Sequence, residues 1–134
     1  MVVIMRRLIL IFGLLFFGVA CADQNEESQN NQVEQNAFET IDIDEINNYV
    51  SDGYTVVDVR EVGEYETGHI PQALNVPLSH LETGEFDSLN KGDPYVIICR
   101  SGNRSQTASQ ILTTEGYDVV NVSEGMSSWA GNVE

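Results

Sequence analysis

The chain has few basic side chains. Only six of its 134 residues are Lys or Arg, against 21 Asp or Glu, for a formal net charge of −15. A surface of that sign repels phosphate backbones and anionic headgroups, so nucleic acid is excluded as a partner. Cysteine is scarcer still: Cys21 and Cys99 are too few for a disulfide scaffold. The two histidines, His69 and His80, have no second ligand at metal spacing, so neither a metal nor a cofactor is expected. The longest apolar run, Leu8 to Ala20, is shorter than the ~20 residues that span a bilayer comfortably. There is no internal repeat.

That short run, preceded by Arg6 and Arg7, reads as an export signal over residues 1–21. It ends in "GVACA", which resembles a bacterial lipobox in which Cys21 carries the lipid. Cleavage by the small-x-small rule at Ala20-Cys21-Ala22 and an uncleaved anchor are the alternatives. All three place the remainder of the chain outside the cytoplasmic membrane. Residues 22–37, "ADQNEESQNNQVEQNA", contain Val33 as the one apolar residue larger than alanine. They cannot bury enough surface to offset the entropy of ordering, and read as a solvated acidic tether. Residues 38–134 then form one modest domain, expected to be monomeric. Without Arg6 and Arg7, four basic side chains face 21 acids, a net charge of −17, and two of the four, Arg100 and Arg104, lie within five residues of Cys99.

Within the domain, short β-branched runs alternate with polar helical segments. Strands are expected at "AFETID", at Tyr54 to Arg60, at "ALNVP", at Pro94 to Cys99 and at "YDVVNV". A helix capped by Asp42 or Asp44 runs to Gly53, and another begins near Arg104 or Ser105, sets Ala108, Ile111 and Leu112 on one face, and stops at Gly116. Helical turns are expected in "EVGEYETGHIPQ", "SHLETGEFDSLN" and "EGMSSWAG". The pattern predicts an α/β domain with a mainly parallel sheet of about five short strands flanked by helices, and such sheets place their sites at the carboxyl ends of strands. Cys99 falls there, at the start of a six-residue loop between strand and helix.

The residues alone allow two readings of Cys99: a buried core thiol, or a nucleophile. Helix N–H groups, Arg100 and Arg104 would favour its thiolate. Gly102 permits a tight anion cradle, and Ser101 and Ser105 can donate to an oxyanion or cap the helix. The anion so held could be phosphate, arsenate, thiosulfate or a persulfide.

"CRSGNRS", Cys99 to Ser105, resembles the active loop C-x-x-G-x-R-S of the single-domain rhodanese family. "DVREVGEYETGHIPQALNVP", Asp58 to Pro77, is similar to that family's upstream signature, and "EGMSSW" to its G-G-x-x-x-W, with Glu124 in place of the first glycine. The resemblance covers the whole domain. It implies the three-layer rhodanese-like fold and sulfurtransferase activity, with Cys99 as the sulfur-carrying nucleophile. It places Arg100, Ser101, Gly102, Asn103, Arg104 and Ser105 around the substrate. Phosphatase loops of this kind put one residue more between cysteine and arginine than the four found here, and the smaller cup suits sulfur.

The implied donor is a small sulfur-containing anion such as thiosulfate, and the acceptor is cyanide or a thiol. The only membrane contact expected is through the N-terminal lipid. Asp58 and Arg60 are expected as an ion pair shaping the site, His69 as a hydrogen-bonded structural residue, and Trp129 as core packing. Glu61, Glu64 and Glu66 are expected as a solvated acidic face. A non-catalytic persulfide carrier or protein-binding module is the alternative function, and a phosphatase or arsenate reductase on the same scaffold a third.

Overall fold

A computed structural model describes residues 37–134. The expected leader, the Cys21 attachment site and the tether up to Asn36 lie outside the described residues. Among the described residues, no helix is long and apolar enough to cross a membrane.

Five strands carry the fold: β1 (Glu39–Ile41), β2 (Thr55–Asp58), β3 (Leu74–Asn75), β4 (Pro94–Ile98) and β5 (Asp118–Val122). They form one sheet in the order β1-β5-β4-β2-β3, with every pairing parallel. Among the described residues, four α-helices connect them: α1 (Ile46–Ser51), α2 (Val62–Tyr65), α3 (Leu78–Glu82) and α4 (Asn103–Thr114). Short 3-10 turns stand at Ile43–Glu45 and Met126–Ser128.

The uninterrupted apolar run of β4 is explained by burial on both faces of the sheet. Side chains alternate along a strand. Tyr95, Ile97 and Cys99 join Val57, Leu81, Ala108 and Leu112 in one core. Val96 and Ile98 join Ile46, Val56, Ile70 and Val120 in the other. Two cores around one sheet make the three layers, and the alternation turns Cys99 toward α4.

Helix α4 buries Ser105, Ala108, Ser109 and Leu112, a stripe at i, i+3, i+4 and i+7. Ile111, expected on that face, is only partly buried and packs at its edge. The helix closes with a Schellman pair, Tyr117 N–H to Leu112 C=O at 2.9 Å and Gly116 N–H to Thr113 C=O at 3.0 Å. Tyr117 and Leu112 both lie in the first core, which completes that motif.

Most strands are one to three residues shorter than the sequence expectation, and the first helix is split into the 3-10 turn capped by Asp42 and α1, which ends at Ser51; two further boundaries shift for a clear local reason. Strand β2 stops at Asp58 because the Asp58 side chain folds forward to accept from the Arg60 backbone N–H at 3.0 Å. The loop after β4 holds four residues, Cys99 to Gly102, where six were expected. Gly102 takes φ +95° and reverses the chain at once, so that α4 starts at Asn103.

Leu112→Ala is expected to lower stability by about 2–5 kcal/mol through the cavity it leaves. Gln110→Ala, on the exposed face of the same helix, should stay within about 0.5 kcal/mol of the parent. Urea unfolding at neutral pH measures both; equal effects would contradict this packing of α4.

Candidate active site

Cys99 is 1 % exposed, at the point where β4 hands the chain to α4. No side-chain oxygen caps α4; the sulfur occupies that position. Gly102 donates its backbone N–H to Cys99 Sγ at 3.1 Å. Burial pushes the thiol pKa up, but the Ser105 hydroxyl and the backbone N–H groups of Ser105, Ser101 and Gly102 outweigh it, and the net direction is down. A lowered pKa means a larger thiolate fraction at neutral pH. The main stabilising groups are hydrogen-bond donors at a helix N-terminus, and the Arg104 guanidinium and the Cys99 thiolate also favour each other's charged form.

The donors point inward because the loop carbonyls are held outward. Met126 N–H bonds the Cys99 carbonyl at 2.8 Å, and the Arg100 carbonyl accepts from Ser127 N–H at 3.1 Å and from Ser127 Oγ at 2.8 Å. This clamp requires close approach of two backbones. A Cβ at Gly125 would overlap the Arg100 carbonyl and Ser101 nitrogen, and one at Gly102 would collide with the Ser123 carbonyl. Ser105 Oγ is buried and within reach of the Gly102 and Val122 carbonyls at 3.1 and 3.4 Å, which ties the first turn of α4 to β5.

The remaining loop residues divide in two. The side chains of Arg100, Ser101 and Asn103 are exposed, and among the described residues the Arg100 guanidinium has no ion-pair partner. Arg104 is engaged by a partner the sequence reading placed elsewhere. Glu64, expected on a solvated face, takes both guanidinium nitrogens of Arg104 at 2.6 and 2.8 Å. Its spacing three residues after Glu61 was the available signal, because the same carboxylate caps the start of α2 through Glu61 N–H at 3.1 Å. Arg104 holds the Glu64 carboxyl down to about 2, against an ordinary 4.5. The open cation beside the loop is therefore Arg100.

Asp58 and Arg60 form a buried ion pair, with Arg60 Nη2 at 2.7 Å from Asp58 Oδ2. The same nitrogen donates to the Gly68 carbonyl at 2.8 Å, so the pair fixes the opposite wall. Asn75 Nδ2 bridges the Asp58 and Arg60 carbonyls at 3.0 and 2.8 Å. His69 stacks on Tyr65 at 3.6 Å between ring centroids, and its Nδ1 lies 3.0 Å from the Tyr65 carbonyl. Trp129 packs against the second core. Glu124 caps the Ile43 N–H at 3.1 Å, a role not foreseen from the sequence. Among the described residues, no three of His, Cys, Asp and Glu gather as a metal ion requires.

A cleft of about 490 Å³ adjoins the loop, lined by Arg60, Glu64, Gly68, Arg100, Met126 and Val133 among others. It lies at the carboxyl edge of the sheet, where α/β folds hold ligands.

Comparison with known proteins agrees with this fold. The profile of the rhodanese-like domain family matches residues 42–132. YrkF of Bacillus subtilis, named as a sulfur carrier protein, is 41% identical over 80 residues, covering 59% of this chain and 43% of its own length. The chain thus spans less than half of that relative. YtwF of the same organism, named as a sulfurtransferase, is 38% identical over 79 residues, 59% of this chain and 76% of its own. The crystal structure of a rhodanese-related protein from Thermoplasma volcanium superposes with a TM-score of 0.66 at 32% identity, covering 72% of this chain and 98% of that one.

Glu64→Gln should destabilise the protein most above about pH 5, and the difference from the parent should shrink as pH falls from about 4.5 toward about 2. A depressed carboxyl pKa contributes stability above its unfolded value and loses it as the folded group protonates. Urea midpoints across that range test the sign; a gap that widens on acidification would contradict it.

Proposed function

The chain belongs to the rhodanese-like domain family of sulfurtransferases, and from that membership we propose that it moves sulfane sulfur through a persulfide on Cys99. The observation that carries the reading is a lone buried sulfur with N–H donors converging on it at the head of α4. Such a cradle stabilises a sulfur anion, and a persulfide places its second anionic sulfur in the same field.

In the first half-reaction, the Cys99 thiolate attacks the outer sulfur of a donor such as thiosulfate. The new Sγ–S bond forms as the S–S bond of the donor breaks, and sulfite leaves with that electron pair. In the second, an acceptor thiolate R–S⁻ attacks the outer sulfur of Cys99–S–SH. The Sγ–S pair returns to Cys99 as thiolate, and R–S–SH departs with the proton. Cyanide serves as acceptor in an assay and gives thiocyanate. Cys99 is the only cysteine of residues 38–134, so on this reading no second thiol of the domain takes the sulfur and it passes to an external acceptor.

Arg100 attracts the anionic donor, and Ser101, Gly102 and Ser105 hold the persulfide. Asn103 and Arg104 frame the mouth, with Arg104 fixed by Glu64. A second reading, a persulfide carrier without turnover, is favoured by the 1 % exposure of Cys99 and by the name that YrkF bears. On either reading the domain works outside the cytoplasmic membrane, tethered by lipid on Cys21; this rests on the leader and the lipobox-like "GVACA".

Cys99→Ala should abolish thiocyanate formation from thiosulfate and cyanide. Intact-protein mass after thiosulfate treatment should show one added sulfur atom on the parent and none on the variant. Added sulfur without turnover would select the carrier reading, and wild-type turnover by Cys99→Ala would sink both. Separately, Cys21→Ser should move the protein from the membrane fraction to the soluble one; retention in the membrane would count against lipid attachment there.

A further inference from the structure

The cleft beside the loop is larger than the donor needs. Pockets of roughly 300–1,000 Å³ take ligands of drug size, whereas thiosulfate has only two sulfurs and three oxygens. At about 490 Å³, the cleft has room for an organic acceptor after sulfite has left.

Its charged groups leave one free cation. Arg60 is bound to Asp58 and the Gly68 carbonyl, and Glu64 to Arg104. Arg100 is exposed and unpaired among the described residues. Its apolar groups are Met126 and Val133.

Val133 is 57 % exposed, so it adds little to the core, yet the backbone around it is fixed. His69 and Glu134 exchange backbone hydrogen bonds at 3.1 and 3.0 Å. Gln72 N–H bonds Glu134 Oε1 at 2.7 Å, and Trp129 Nε1–H bonds the Asn132 carbonyl at 2.9 Å. A Cβ at Gly68 would sit 3.6 Å from Val133 Cγ2, so the valine lies directly on that glycine.

We propose that the strap Asn132–Glu134 forms the acceptor-side wall of the cleft. Val133 and Met126 bind the apolar body of an organic thiol, and Arg100 binds its carboxylate. The acceptor class is thus a thiol acid with an aliphatic chain. This rests on the sulfur-transfer reading and specifies its second half-reaction, in which the thiolate takes the outer sulfur of Cys99–S–SH and leaves as R–S–SH.

The test uses the full chain, with thiosulfate as donor and mercaptohexanoate, mercaptohexanol or mercaptoacetate as acceptor. The sulfite burst reports persulfide formation independently of the acceptor. Mercaptohexanoate should show the lowest KM of the three. Val133→Ser should raise that KM roughly fivefold with kcat held, the loss of about one buried aliphatic group, and Val133→Ile should restore it. Arg100→Gln should erase the preference for mercaptohexanoate over mercaptohexanol. A normal burst with a mercaptohexanoate KM that does not move in Val133→Ser overturns the wall and leaves sulfur transfer standing. Absence of any burst from the parent protein overturns both.

Discussion

The site depends on a sulfur atom standing where a helix expects an oxygen. Helix α4 begins with N–H groups that have no intrahelical acceptor, and no serine, threonine or aspartate oxygen caps them. Cys99 Sγ takes that place, and its anionic form is the better acceptor. Desolvation opposes the charge, so the outcome depends on donor count and aim, which is why the loop carbonyls must be tied back. If the Gly125 turn were pushed away by a side chain, those carbonyls would lose their partners and the inward orientation would relax.

Other parts of the fold serve that alignment. β4 brings Cys99 to the carboxyl edge of the sheet, and strand alternation faces it toward α4. The small residues Ser105, Ala108 and Ser109 let α4 approach the sheet closely. The Asp58–Arg60 pair and the Glu64–Arg104 pair brace the two sides of the cleft. A bidentate arginine–carboxylate pair has directional as well as Coulombic value, and here it fixes α2 to the first turn of α4.

Much of this is legible in the sequence. Runs such as "YVII" and "VVD" announce strands buried on both faces, and their alternation with polar segments gives the parallel sheet. "CRSGNRS" marks the loop because a glycine and two arginines so close to a cysteine are conspicuous in an acidic chain. Distance in sequence hid the rest. Glu64 and Arg104 are 40 residues apart, and nothing local pairs them. Glu124 reaches Ile43 across 81 positions. Val133 looks like an unremarkable aliphatic near the end of the sequence until the strap is seen against Gly68. Boundaries shifted where one residue acts on its neighbour: Asp58 curling onto Arg60 ended a strand early, and Gly102 began a helix early.

The hydrogen-bond donors to the sulfur belong to the main chain, with the buried Ser105 hydroxyl the exception. The side chains of Arg100, Ser101 and Asn103 radiate from the same loop into solvent. The scaffold thereby separates two kinds of heritable information. Under the proposed sulfur transfer, a substitution at one of those exposed side chains would alter the rim of the cleft without removing a main-chain donor to the sulfur. A lineage could retune its sulfur trade at the rim of the cleft while leaving the chemistry at its centre untouched.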